Sequence, residues 1–113
     1  MSQITTHILD TSLGVPAAGV PVKLDRLSDA EWQSLAAGIT NQDGRIPDLL
    51  PTKKILPAGT YRMAFDTAAY LQKQNQPVFY PYVEVVFTIP AGGAHYHIPL
   101  LLSPFGYSTY RGS

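Results

Sequence analysis

Apolar residues return at every second position in several short stretches of the chain, the period of a strand with one buried face. In TYRMAFD (60–66), Tyr61, Met63 and Phe65 alternate with Arg62 and Asp66. In VPVKLDRL (20–27), Val20, Val22 and Leu24 share one face while Lys23 and Asp25 share the other. YVEVVFTI (82–89) sets Val83, Val85, Phe87 and Ile89 against Glu84 and Thr88. HYHIPLLL (95–102) is the most informative run, because Tyr96, Ile98, Leu100 and Leu102 make a continuous apolar face that belongs in a core. Its opposite face then carries His95, His97, Pro99 and Leu101. ITTHILD (4–10) is mixed on both sides, and with Ile4 and Ile8 inward, His7 points outward.

Ten prolines and nine glycines punctuate these runs at intervals of roughly ten residues, as expected of short strands joined by turns. LGVPAAG (13–19), Asn41-Gln42-Asp43-Gly44 and Pro90-Ala91-Gly92-Gly93 read as turns. The segment 32–40 is expected as a strand, since a turn follows it directly. TAAYLQKQNQ (67–76) breaks the period of two and predicts the one short helix, ended before Pro77. At 113 residues the chain is read as one domain spanning 1–113, an all-β sandwich.

Charge and composition remove several function classes. The eight basic and eight acidic residues balance to zero and are scattered, so there is no electrostatic footprint for nucleic acid or for an anionic membrane. Without cysteine there is no disulfide framework, thiol nucleophile or zinc-thiolate centre. The stretch after Met1 has neither the basic nor the apolar segment of a secretory signal, which predicts a cytoplasmic protein. The low charged fraction, 14%, leaves surface for subunit contacts.

The candidate chemistry lies in three places. All three histidines, His7, His95 and His97, fall on outer sheet faces, and two of them meet if the first strand neighbours HYHIPLLL. Taken singly, an outward histidine is most simply a solvated polar residue; together, near neutrality, they can serve as general bases. Two imidazoles could also begin a metal site, but no third ligand completes it, so no metal is expected. Arg45 closes the turn NQDGR and offers a planar fork of donors to an anionic or polarised oxygen, although a lone turn arginine is more often just a surface cation. Near the end, Tyr110 shares a strand face with Ser108 and Gly112, Arg111 goes with Thr109, and Gly112 permits close backbone approach.

Three motifs, THILDTSLGVPA, NQDGR and HYHIPLLLSPFGYSTYRGS, carry a resemblance that spans nearly the whole chain. It resembles the transthyretin-related 5-hydroxyisourate hydrolases, whose terminal YRGS distinguishes them from hormone-carrying transthyretins. The resemblance implies a transthyretin-like sandwich of two four-stranded sheets with a short helix late in the chain. It also implies a homotetramer, a dimer of dimers, with active sites in the channel between dimers. Carried over by position, it implies catalytic roles for His7, Arg45, His97 and Ser113. Substrate contacts fall to His7, Arg45, Tyr110, Arg111 and Gly112. His95 fits the pattern without an implied direct role. The implied reaction, part of urate degradation, opens 5-hydroxyisourate to 2-oxo-4-hydroxy-4-carboxy-5-ureidoimidazoline by histidine-assisted attack of water, with no cofactor. The competing class is a small-molecule carrier using the same channel without catalysis, which calls for mostly apolar walls.

Overall fold

A computed structural model describes residues 2–112. Eight strands and one helix follow in the order β1 (Ile4–Asp10), β2 (Val15–Pro16), β3 (Pro21–Ser28), β4 (Glu31–Ile39), β5 (Gly59–Phe65), α1 (Ala68–Lys73), β6 (Val83–Ile89), β7 (Tyr96–Ser103) and β8 (Gly106–Thr109). They form two four-stranded sheets, β2-β1-β7-β8 and β4-β3-β5-β6. The pairings are antiparallel except that of β1 with β7, which run parallel with Thr5 opposite His97. That pairing joins the start of the chain to its end, and the candidate site is built on it. No helix among the described residues is long and apolar enough to cross a membrane.

The inward faces are those the alternation predicts. Tyr61, Met63 and Phe65 from β5, Val22 and Leu24 from β3, Ile4 and Ile8 from β1, and Leu100 and Leu102 from β7 are all essentially inaccessible. Together they fill one core between the sheets. Truncating a Leu or Ile of this kind to alanine costs about 2–5 kcal/mol, because a cavity replaces close-packed contacts.

Two residues keep their expected face but are buried on it, and two local readings are corrected. Asp25 keeps the outer face expected with Lys23, opposite Arg62 of β5, but is buried there because the Arg62 guanidinium closes over its carboxylate. Pro99, on the outer face of β7, is buried as well. Val15 and Pro16, expected within a turn, form a two-residue strand on the free edge of β1, where a proline without an N–H is tolerated. The helix stops at Lys73 rather than at 76. Asn75 turns left-handed (φ 57°), its N–H donates to the Gln72 carbonyl, and the Gln76 N–H donates to that of Leu71, so two orphan carbonyls are satisfied in a Schellman ending.

The helix is tied to β1 through a buried carboxylate. Asp10 Oδ2 accepts a hydrogen bond from the Tyr70 hydroxyl at 2.7 Å, and Oδ1 accepts from the Ser12 and Leu13 N–H groups and the Ser12 hydroxyl. Burial alone would raise the carboxyl pKa, but hydrogen bonds from Ser12, Tyr70 and Leu13 outweigh it and leave the group below the usual carboxylate range.

Candidate active site

The outer face of the β1–β7 pair concentrates the imidazoles. Because Ile4 and Ile8 point into the core, Thr5 and His7 point out, and on β7 the inward Tyr96 and Ile98 throw His95 and His97 to the same outer side. Parallel pairing then sets Thr5 directly against His97. The Thr5 hydroxyl lies 2.8 Å from His97 Nδ1 and 2.8 Å from His95 Nε2. Thr5 is the polar residue that the motif reading passed over. Its signal was its place two residues before His7, on the same face of the strand.

Arg45 reaches this face from the turn after β4. Asn41 Oδ1 accepts hydrogen bonds from the Asp43 and Arg45 N–H groups, and the Gly44 N–H donates to the Asn41 carbonyl. A single antiparallel bridge pairs Arg45 with His7, and the Ile8 N–H donates to the Gly44 carbonyl. Gly44 is required twice over. Its φ is +73°, and a Cβ there would stand 2.5 Å from the Ile8 carbonyl oxygen. The turn is thus clamped against β1, and the arginine is carried to the histidines.

The outcome is a cavity of about 550 Å³ whose wall includes Thr5, Asn41, Asp43, Arg45, His95 and His97. His7 is outside that wall, yet near enough to Arg45 and His97 for their charges to act on one another. Burial lowers the pKa of His97, and Arg45, His95 and His7 lower it further. Burial and then Arg45 also lower that of His7, against a smaller upward pull from the Asp43 carbonyl and carboxylate. Both imidazoles are therefore neutral at pH 7, the state in which they can accept a proton. The described residues contain no cluster of three or more His, Asp or Glu able to hold a metal ion.

The tail divides between two faces. The Gly112 N–H donates to the His97 carbonyl at 2.7 Å, and a Cβ on Gly112 would fall 2.7 Å from His97 Cδ2, so only glycine lets the tail lie against the imidazole. Arg111 goes the other way, its guanidinium 4.9 Å from the centre of the Tyr96 ring on the inner face. With the exposed Tyr110, it borders a second opening of about 440 Å³ between the sheets, lined by Val85, Phe87, Tyr96 and Ile98. Within one subunit, then, His7, Arg45, His97 and Gly112 come together, whereas Tyr110 and Arg111 do not join them. Ser113 lies outside the described residues. Among the described residues the inter-sheet opening has no histidine or acid in its wall, so the histidine-bearing cavity is the better candidate for chemistry.

Two stacked four-stranded sheets with a short helix between β5 and β6, and a parallel first-to-seventh strand pair, define a transthyretin-like sandwich. The chain belongs to the HIUase/Transthyretin family, whose sequence pattern it matches over residues 4–112. It is 51% identical to the 5-hydroxyisourate hydrolase of Mus musculus, over 99% of this chain and 96% of that protein. With the 5-hydroxyisourate hydrolase of Salmonella dublin the identity is 47%, over 97% of this chain and 80% of the other. Among solved structures it superposes on 5-hydroxyisourate hydrolase of Klebsiella pneumoniae with a TM-score of 0.83 and 39% identity, covering 97% and 98% of the two chains. It superposes on sea bream transthyretin in complex with thyroxine with a TM-score of 0.91 and 39% identity, covering 98% and 95%. Shape alone therefore does not separate hydrolase from carrier; the side chains on the β1–β7 face have to.

Proposed function

We propose that this chain hydrolyses 5-hydroxyisourate to 2-oxo-4-hydroxy-4-carboxy-5-ureidoimidazoline, as a step of urate degradation. The observation that carries the reading is the meeting of Arg45 with neutral imidazoles on one cavity wall, in a chain 51% identical to a 5-hydroxyisourate hydrolase. His97, aided by His7, takes a proton from water as the oxygen attacks a ring carbonyl. Arg45 stabilises the negative charge that develops on the carbonyl oxygen. The ring carbon–nitrogen bond then breaks, and the proton held on histidine passes to the departing nitrogen. Gly112 keeps the imidazole in place, and the Ser113 carboxylate and Tyr110 orient substrate and water.

The assembly we propose is a homotetramer, a dimer of dimers, in the cytoplasm. Two features favour it. β6 and β8 are unpaired sheet edges bearing exposed Val86 and Tyr107, which a second copy can cover by strand addition. Tyr110 and Arg111 also lie away from their own subunit's histidines, so a role for them in the site calls for delivery from a neighbouring copy. A carrier role is the alternative, and the Arg45 guanidinium and the His95 and His97 imidazoles on the cavity wall argue against it. The test is spectrophotometric. Fresh 5-hydroxyisourate, generated from urate, should lose its absorbance many times faster with the protein than without it; an unchanged spontaneous rate would leave only the carrier reading.

A further inference from the structure

One hydroxyl stands between two imidazoles. The rings of His95 and His97 are 6.5 Å apart at their centres and nearly parallel, 23° between planes, too far apart for a direct hydrogen bond, and Thr5 Oγ1 fills the gap at 2.8 Å from each. A hydroxyl has a single proton to donate, so it donates to one ring and accepts from the other, and the two rings must adopt matched tautomers. In one arrangement His97 Nδ1–H donates to Thr5, Thr5 donates to His95 Nε2, and His97 Nε2 is bare. In the other, every proton has moved one place and His97 Nε2 carries hydrogen.

We propose that Thr5 is a positioning residue that links His97 to His95 in a proton relay, and that exposed His95 holds the positive charge between water attack and ring opening. The inference rests on the hydrolase reading above. In the first step the water O–H bond breaks and an N–H bond forms at His97 Nε2. The Nδ1 proton of His97 moves to Thr5 Oγ1 while the original Thr5 proton moves to His95 Nε2. His97 is left neutral with hydrogen on Nε2, which is the form that donates to the departing ring nitrogen. As it donates, the relay runs backwards: the proton on His95 Nε2 returns to Thr5, the Thr5 proton returns to His97 Nδ1, and the starting tautomers are restored. No other reactant is consumed.

The setting favours this division of labour. His97 is partly buried, with Arg45, His95 and His7 close enough to oppose a charge on it. His95 is exposed to water. Lys53 and Lys54 border the small opening on its other side, but both are solvent-exposed and their charge is screened there. Thr5 lies on an outward strand position, where a β-branched residue of either polarity suits the backbone.

The experiment compares wild type with Thr5→Val, which keeps the shape and loses the hydroxyl, and Thr5→Ser, which keeps the hydroxyl. Imidazole nitrogen NMR on the folded, substrate-free proteins reads the His97 tautomer directly, and steady-state turnover of 5-hydroxyisourate reads its consequence. Wild type and Thr5→Ser should show hydrogen on His97 Nδ1. Thr5→Val should lose that preference, with kcat down about ten- to a hundredfold and KM within a factor of two. His95→Gln, which cannot carry the charge, should lower kcat similarly while leaving the melting temperature in place. Thr5→Val with wild-type kcat and unchanged nitrogen shifts would overturn the relay while leaving the hydrolase intact. Absent turnover in wild type would instead remove the hydrolase reading and the relay with it.

Discussion

Two arginines stand on the outer faces of the two sheets, and their surroundings differ. Arg62 on β5 is fully engaged: its guanidinium donates to Asp25 Oδ2 at 2.9 and 3.2 Å, pairs with Glu84 at 3.3 Å and lies 4.4 Å over the Trp32 ring. Four strands, β3 to β6, contribute to that cluster, and each charge in it has a partner. Arg45 forms no ion pair among the described residues, although Asp43 lines the same cavity. It faces imidazoles that burial keeps neutral. A paired arginine braces a sheet. One with no ion pair among the described residues, carried to the cavity by a clamped turn, is ready for charge that appears only during a reaction.

The sharpest way to break the contrast is at His97. His97→Asn should lower kcat by about 10²–10⁴, the usual worth of a general base, while the melting temperature hardly moves. The pH profile sharpens the same point. Since the neutral imidazole is active and its pKa is lowered, activity should fall on acidification, with a midpoint below the ordinary imidazole value of about 6.5. A smaller loss is expected from Gly112→Ala, whose Cβ would displace the His97 ring. Misplacement of a catalytic group by an ångström costs up to about 10²-fold, and kcat should fall more than KM changes.

On the structural side of the contrast, Tyr70→Phe should leave kcat alone and cost about 1.5–3 kcal/mol in denaturant unfolding, because it strips a hydrogen bond from the buried Asp10 carboxylate. The sign with pH follows from linkage. Asp10 has a lowered folded pKa, so its stabilisation is present above the ordinary carboxylate range and is lost as pH falls through the folded value. His7 and His97 add to the loss at somewhat higher pH, since the unfolded chain binds protons there before the folded one does. The smallest effect belongs to Glu84→Gln. Its carboxylate is largely exposed, and removing it should change unfolding free energy by no more than about 0.5 kcal/mol.

Much of this was legible in the sequence because a period of two fixes which side chains face inward. The inward faces of β5 and β7 were readable, with bounds off by one residue, and with them the outward placement of His95 and His97. The meeting of the imidazoles was not local information. It depends on the parallel pairing of β1 with β7, which brings Thr5 beside His97 across the length of the chain. Asp25 lies on the face that alternation gives it, but its burial depends on Arg62 arriving from β5, and the early end of α1 comes from a left-handed Asn75 that helix propensity does not reveal. Alternation did put Arg111 with Thr109, but that this face would set its guanidinium over Tyr96 required knowing which way β7 turns beneath it.

The most direct test is turnover of 5-hydroxyisourate by two matched variants, Arg45→Ala and Arg62→Ala, each measured beside its melting curve. The account predicts that Arg45→Ala loses about 10²–10³ in kcat and melts like wild type, while Arg62→Ala melts lower and turns over normally. Equal turnover in the two, or a loss confined to Arg62→Ala, would contradict it.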